Sequence, residues 1–515
     1  MPSQTALELL QGHFRPFAHL NSAVSLLSWD QETYMPSGGG QARAEQIATL
    51  QGLAHERLTA PETEELLGQW MDLKTGQPLR NIAGELDDVT LALLRETWRD
   101  YHKAVQLPND FVCRLAHTCS LAQQVWAEAK TRNDFASFLP HLKQIVDLKK
   151  EEVTYRGAAT HPYDALLDLY EPGVTTASLT ALFGALKAKL VPLLNRILES
   201  PVRPSEEILK RGYERERQLE LGRAILTAMG YDFGCGRLDV SAHPFTTSFH
   251  STDVRLTTRV SEEDFTGSIF SCIHEGGHGL YDQGLPAAYY GTSLGEAVSL
   301  GIHESQSRLW ENCVGLSRPF WQHFYPLLRR TFPAQMQDVT LDALYTALNR
   351  VFPSFIRVDA DELTYNLHIL LRFEIERDLM EDRVRAEELP ALWRDKMQAY
   401  LGIVPPTDRE GVLQDVHWSI GAIGYFPTYT LGNLYAAQFF DQAKREMPDL
   451  IEHIAAGDLI PLKQWLNDKI HRWGRLYTAD ELVRRVTGEP LTLAHFMSYV
   501  EDKYAEIYQL EKETA

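Results

Sequence analysis

Cysteine is scarce in this chain. Its 515 residues hold five, at Cys113, Cys119, Cys235, Cys272 and Cys313. The number is odd, the spacing is wide and no C-x-x-C pair occurs, which excludes a disulfide framework and points to a reducing, cytoplasmic setting. Positive charge is also in short supply. Fifty Lys and Arg against 70 Asp and Glu leave a net charge of −20. That balance argues against nucleic-acid binding, which needs a basic face, and against a general attraction for acidic peptide ends, so any carboxylate must be recognised by locally placed cations. Met1 to Pro16 contains no basic stretch followed by an apolar core, so no secretory leader is expected. The uncharged stretch Ser419 to Phe440 is broken up by Pro427, Asn433 and Gln438, a poor composition for a membrane span, and reads as a buried internal segment. Linkers, repeats and low-complexity runs are missing. The one glycine run, Gly38-Gly39-Gly40, lacks the Lys-Ser/Thr of a phosphate loop and reads as a turn before a helix. A single domain over residues 1–515, with lobes about a cleft, is therefore expected.

Against these absences stands His274-Glu275-Gly276-Gly277-His278, an H-E-x-x-H motif. On a helix, positions i and i+4 share a face, so both imidazoles can aim at one point. Two neutral His nitrogens make half of a tetrahedral zinc site. Glu275, beside the first of them, is placed to take a proton from a metal-held water, the chemistry of metal-assisted amide hydrolysis. The surrounding apolar residues Phe265, Ile269, Ile273, Leu280 and Leu285 suit a largely buried helix, on which two His and a Glu need partners. Gly276, Gly277 and Gly279 weaken that helix by about 1 kcal/mol each relative to Ala. Their use must lie in letting backbone or substrate come close.

A catalytic zinc usually keeps a third protein ligand and one open position. A third His six residues after the motif is excluded, because Tyr281 and Gly284 stand where that arrangement needs Gly and His. The alternative is a Glu on the next helix, capped by Thr292 or Ser293 and running to about Cys313. It offers Glu296, Glu304 and Glu311, and periodicity does not choose among them.

His303-Glu304-Ser305-Gln306 following an H-E-x-x-H resembles the second signature of the carboxypeptidase Taq family of zinc metallopeptidases. Further segments resemble that family in the same order: His243-Pro244-Phe245; Asp253, Arg255 and Thr257; Ile356-Arg357 with Asp359, Ala360 and Asp361; and Gly411, Gln414, Asp415, His417 and Trp418. Trp29 to Pro36 is also similar. The resemblance implies that Glu304 completes a metal set with His274 and His278. It implies a mainly helical body with a long groove lined by a small sheet, and a homodimer. Among the many Arg, whose planar fork suits a carboxylate, it selects Arg357 for the substrate's C-terminus. Arg255 and His243, from the same motifs, would shape or close the groove end. Asp253, Asp359, Asp361 and Asp415 would hold these cations and the local backbone, and Gln414 and Trp418 would be structural.

Periodicity itself gives helices over about 40–72, 108–130, 135–156, 177–198, 205–229, 362–381, 434–446 and 491–510. Breaks fall at Glu171-Pro172-Gly173 and Pro405-Pro406. Residues of about 237–260 read instead as two or three short strands forming a small antiparallel sheet, whose edge could bind an extended peptide. The metal site then falls on helices over about 265–313. His417, Tyr425 and Tyr429 are candidate donors for the developing oxyanion, with the choice between the tyrosines open. These features lead to a zinc enzyme, with Co2+ or Mn2+ as possible substitutes, hydrolysing the C-terminal bond of peptides with broad specificity. Two competing readings are a helical oligoendopeptidase or dipeptidyl carboxypeptidase, and a metal-stabilised scaffold without catalysis. Glu275, which is no ligand, speaks against the scaffold.

Overall fold

A computed structural model describes residues 2–80, 83–157 and 160–511. Met1, the first residue of the stretch read for a leader, lies outside them. The chain is mainly α-helical, with two small sheets. Helices at Asn109–Arg132, Phe135–Arg156, Thr176–Glu199, Thr364–Met380 and Ala494–Tyr508 lie close to the periodic segments. Elsewhere local chemistry trims them. The segment read as 40–72 is two helices, Gly40–Leu58 and Pro61–Leu67, divided where Pro61 starts the second. The segment read as 205–229 holds a short 3-10 turn at Glu207–Leu209, with the helix confined to Arg215–Met229. The helix read as 434–446 begins at Pro427 and runs to Glu446. Most of the uncharged stretch is buried on it. Thr176–Glu199 is long and apolar enough to cross a membrane by composition. In this fold its Leu179, Phe183, Leu186, Leu190 and Ile197 join the main core.

The first helix, Pro2–Thr33, has no counterpart in the periodic segments. It buries Ala6, Leu10 and Phe14 at one end and Trp29 near the other. Between them, Pro16, Asn21, Ser22 and Ser25 interrupt any apolar stripe. It is held by tertiary contacts instead, among them Ser22 Oγ donating to the Phe249 carbonyl at 3.0 Å. A small core of its own, around Leu10, Leu67, Leu93 and Leu294, joins this region to the groove.

The sheet before the motif helix has strands Gly236–Val240, Thr246–His250 and Asp253–Thr258, with the third strand in the middle. It is mixed, not wholly antiparallel: the first and third strands are parallel and only the second opposes the third. The link through His243-Pro244 explains this. It wraps the end of the third strand, with Ser241 N–H donating to the Thr258 carbonyl at 3.1 Å and Phe245 N–H to Thr257 Oγ1 at 2.8 Å. The second strand is an edge of the sheet, with the first helix beside it at Ser22. A cavity of about 960 Å³ runs beside it, walled by Phe17 and Ser22 of the first helix, by Ser248 and His250 of the edge strand, and by Asp282 and His303.

Candidate metal centre and its surroundings

The motif helix spans Thr266–Gly284 and is buried along most of its length. Its glycines mark close approaches. A Cβ at Gly277 would sit 2.6 Å from the Gln306 carbonyl oxygen and 2.7 Å from Ser307 Cα. Gly276 and Gly279 press on Leu226 and Leu256 in the same way. The helix backbone therefore lies directly on the next one, Leu300–Arg308. From the other side Gly432, on the Pro427–Glu446 helix, abuts Glu304, whose Cγ would be 2.5 Å from a Cβ there.

The Leu300–Arg308 helix starts later than the sequence suggests. Ser293–Gly295 forms only a 3-10 turn, with Gly291 at φ +82° before it, and the chain is extended at Glu296. Ser299 is the actual cap, accepting from Ile302 N–H at 3.1 Å. The buried carboxylate of Glu171, from the Glu171-Pro172-Gly173 break, accepts from Gly301 N–H at 2.8 Å. Glu304 and Glu311 are therefore held near the motif, whereas Glu296 lies off the helix among the electrostatic neighbours Arg475, Asp282 and Asp100. After Arg308 the backbone widens into a π-helix, Leu309–Gly315, the kind of irregularity often found at functional sites.

His274, His278 and Glu304 converge, each offering one ligand atom within 4.8 Å of the others. Glu304 Oε2 lies 3.7 Å from His274 Nε2 and 3.4 Å from His278 Nε2. A tetrahedron built on metal–ligand bonds of about 2.05 Å has edges of about 3.3 Å, so the donor set fits a zinc-sized ion. The opposite ring nitrogens are already engaged. His274 Nδ1 lies 2.7 Å from Glu311 Oε2. His278 Nδ1 meets His303 Nδ1, and His303 Nε2 lies 3.0 Å from Asp282 Oδ1. With Asp282 accepting from His303 and His303 from His278, the Nε2 lone pair of His278 is left for a metal, an outer-shell arrangement usual for ligating imidazoles. Arg308 Nε donates to Glu304 Oε1 at 2.7 Å and its Nη1 to Glu311 Oε2 at 3.1 Å.

Electrostatics follow the same layout. Burial opposes the charge on His274, yet Glu304 and Glu311 hold its pKa up at about 9 without a metal. Burial likewise penalises the Glu304 carboxylate, but Arg308 and the two His keep it well below the usual range. Glu304 and Glu311 thus favour positive charge where the ring nitrogens face, which suits a divalent ion.

Glu275 points to the sheet side, where Thr246 Oγ1 donates to its Oε2 at 2.6 Å. His417, Tyr425 and Tyr429 gather around another wall. His417 Nε2 is 3.3 Å from the Tyr429 hydroxyl. The two tyrosine rings lie 5.3 Å apart. Burial lowers the His417 pKa to about 4, so the ring is neutral near pH 7. Burial raises Tyr425 to about 12, with the Glu304 charge adding to it, and also pushes Tyr429 well above the usual phenol value. Both phenols therefore remain donors.

Arg357 joins this wall. Its Nε and Nη2 donate to Asp415 Oδ1 at 3.1 and 3.0 Å, its Nη1 donates to the Tyr365 hydroxyl at 2.9 Å, and its guanidinium lies 5.1 Å from the Tyr429 ring centre. Of its five N–H groups, two have no partner among the described residues. Gln414 and Asp415 are the brace expected of them, since Gln414 Oε1 accepts from Arg357 N–H at 2.8 Å and Asp415 also binds the fully buried Arg372. Arg255 is elsewhere. Its guanidinium pairs with Asp253 at 2.9 Å and stacks on Trp29 and Phe249, bolting the first helix to the sheet. His243 is exposed on the link between the first two strands, and Asp359 is exposed too. Arg308, Asp282, Thr246 and Tyr365 had no assigned role in the sequence, and Glu311 only that of a candidate ligand. Two left a signal, because Asp282 stands four residues after His278 and Arg308 four after Glu304.

A family profile described as carboxypeptidase Taq (M32) metallopeptidase matches residues 9–504. The chain belongs to the carboxypeptidase Taq family. Thermostable carboxypeptidase 1 of Thermus thermophilus is 44% identical to it, covering 99% of this chain and 100% of that protein. Carboxypeptidase 1 of Bacillus subtilis is 40% identical, over 96% and 97% of the two chains. Among solved structures, the M32 carboxypeptidase from Deinococcus radiodurans superimposes with a TM-score of 0.93 at 38% identity, covering 98% of this chain and 100% of the other. This carboxypeptidase Taq member is accordingly a metallocarboxypeptidase, a metal-dependent peptide hydrolase with a mainly helical fold.

Proposed function

We propose that the enzyme is a zinc-dependent carboxypeptidase that removes single residues from the free C-termini of peptides with broad specificity. The observation carrying this is the convergence of His274, His278 and Glu304 with Glu275 beside them, an acid–base group that ligates nothing. A bound divalent ion supplies Lewis acidity and a lowered pKa for water. The protein's own residues do the rest. Glu275, oriented by Thr246, takes the proton of the attacking water and delivers it to the leaving amine. Tyr429 spends its hydroxyl on His417, so Tyr425 donates to the oxygen of the scissile carbonyl as it becomes negative, and the neutral His417 assists from the same wall. Arg357 offers its two remaining N–H groups to the terminal carboxylate. The edge strand Thr246–His250 takes the peptide backbone along the groove, and Arg255 acts on that wall only through the Phe249 ring it holds.

The same reading includes Co2+ or Mn2+ as substitutes for zinc, since such donor sets accept several ions. It includes a homodimer, on the family likeness, and a cytoplasmic setting, on five free cysteines. It places no nucleic acid or membrane among the partners, in keeping with the net charge of −20. The test uses two peptides of one sequence, with free and amidated C-termini, incubated with and without a chelator and followed by mass spectrometry. A one-residue ladder from the free peptide alone, stopped by chelation and restored by zinc, is the expected result. Internal cleavage of both peptides would make the enzyme an endopeptidase and remove Arg357 from its role.

A further inference from the structure

Between His417 and Tyr429 there is no Asp, Glu, Lys or Arg to tie the chain down. The segment is a 3-10 turn at His417–Ile420, two glycines with φ of +72° and +98° at Gly421 and Gly424, and the first turn of the Pro427–Glu446 helix. Gly424 suits its place twice over, because a Cβ there would also lie 2.9 Å from the Leu166 carbonyl. Beneath this turn sits Glu376, on the Thr364–Met380 helix, with no exposed surface at all. Its Oε1 accepts from the Trp418 indole N–H at 2.8 Å. Its Oε2 accepts from the Gly424 amide at 2.9 Å and from the Tyr163 hydroxyl at 2.5 Å.

We propose that Glu376 is a positioning residue for the reaction, clamping Trp418 and Gly424 so that His417 and Tyr425, the residues just outside the clamp at either end, face the scissile bond. The proposal rests on the reading of His417 and Tyr425 given above. A carboxylate suits the place because all three partners are donors and both oxygens only accept. A hydrophobic side chain would leave the Trp418 and Gly424 N–H groups buried without acceptors, which is why a carboxyl is kept so far from water although burial raises its pKa to about 7. Glutamine keeps the shape but not the pattern. Whichever way its amide turns, the NH2 opposes either the indole N–H or the Gly424 N–H. Trp418→Phe removes the indole donor and lets that NH2 turn towards the vacated side.

The experiment compares Glu376→Gln, Trp418→Phe, their double variant, Tyr163→Phe and His417→Ala. Each is a full-length, zinc-loaded enzyme assayed for kcat, KM and bound metal on an N-blocked peptide with a free C-terminus. Glu376→Gln should lower kcat by about tenfold or more, the cost of displaced catalytic groups. Its metal content should be unchanged and its KM within about threefold of normal. Adding Trp418→Phe to it should raise kcat again by about fivefold, the worth of relieving one opposed hydrogen bond. An unaltered kcat in Glu376→Gln, or a loss that the second substitution does not relieve, overturns the proposal. Should Glu376→Gln fail to fold, the single variants decide. Trp418→Phe must lower kcat more than Tyr163→Phe, since only the indole belongs to the clamped segment, and equal effects overturn the clamp. Full activity in His417→Ala would sink the role given to that imidazole, separately from either outcome at Glu376.

Discussion

The two walls of the site are held by different physics. On the ligand wall every functional atom is braced by charge: Glu311 on His274, the Asp282–His303 pair on His278, and Arg308 on Glu304. On the facing wall His417, Tyr425 and Tyr429 are neutral groups kept in place by ring packing, by the His417–Tyr429 hydrogen bond and by a turn tied to Glu376. The contrast matches the tasks. A metal must be held before the reaction begins, and the carboxylates that attract it have to be balanced by fixed cations. Donors to a developing oxyanion should carry no charge of their own when the substrate arrives, and burial is what keeps His417 unprotonated and the phenols protonated. A charge on the donor itself would spoil the second purpose, and the carboxyl of Glu376 accordingly holds the turn and not the donors.

The sharpest way to separate the walls is to disable the chemistry while leaving the ligands alone. Glu275→Gln should cut kcat by about 10³-fold or more with zinc stoichiometry intact. Glu304→Ala should lose metal and activity together. Full turnover in Glu275→Gln, measured on peptide substrate after metal analysis, would refute the acid–base role. The second effect is on the neutral wall. Tyr425→Phe should lower kcat by about 10²-fold with little change in KM, and Tyr429→Phe by less. The reverse order in steady-state kinetics would exchange the roles of the two phenols. Third comes the charged brace: Glu311→Gln should weaken zinc by about 10–100-fold in competition with a fluorescent chelator. Excess zinc should restore its kcat, whereas no excess of metal should help Tyr425→Phe.

The smallest effect concerns pH. Burial raises the Glu171 carboxyl to about 7 from an ordinary value of 4.5. A raised carboxyl binds its proton more tightly in the folded state. Its burial therefore costs stability above pH 7, and the cost fades as pH falls towards 4.5. Melting curves at pH 8 and pH 5.5 should show a shallower gain on acidification in Glu171→Gln than in the parent, by about 1–3 °C. An identical slope would mean that the carboxyl titrates as if exposed.

How much of this could be read from the chain depends on how local each signal is. His274 and His278 share a helical face whatever surrounds them, and the glycines between them announced a close neighbour, which proved to be the backbone at Gln306 and Ser307. Glu304 was one of three carboxylates by periodicity and was singled out only through its resemblance to a known signature. The start of its helix was misplaced because capping by Ser299, assisted by Glu171 from 130 residues away, outweighs the polar residues at 292–293. The Pro2–Thr33 helix was invisible because its stability comes from contacts such as Trp29 against Arg255, not from a continuous apolar stripe. The parallel pairing in the small sheet was hidden too, since strand direction is set by how the His243-Pro244 link wraps its neighbour.

The glycines at 277 and 432 have one more consequence. They let the Glu304 helix be gripped from two sides by direct contact, so the spacing of the metal's donors is gauged by bare main chain and not by the volume of any intervening side chain. Core residues further out could then be exchanged over generations, or in a laboratory selection for heat resistance, without retuning the donor geometry. The coordination geometry would be inherited with the backbone, whatever apolar filling the surrounding core acquires.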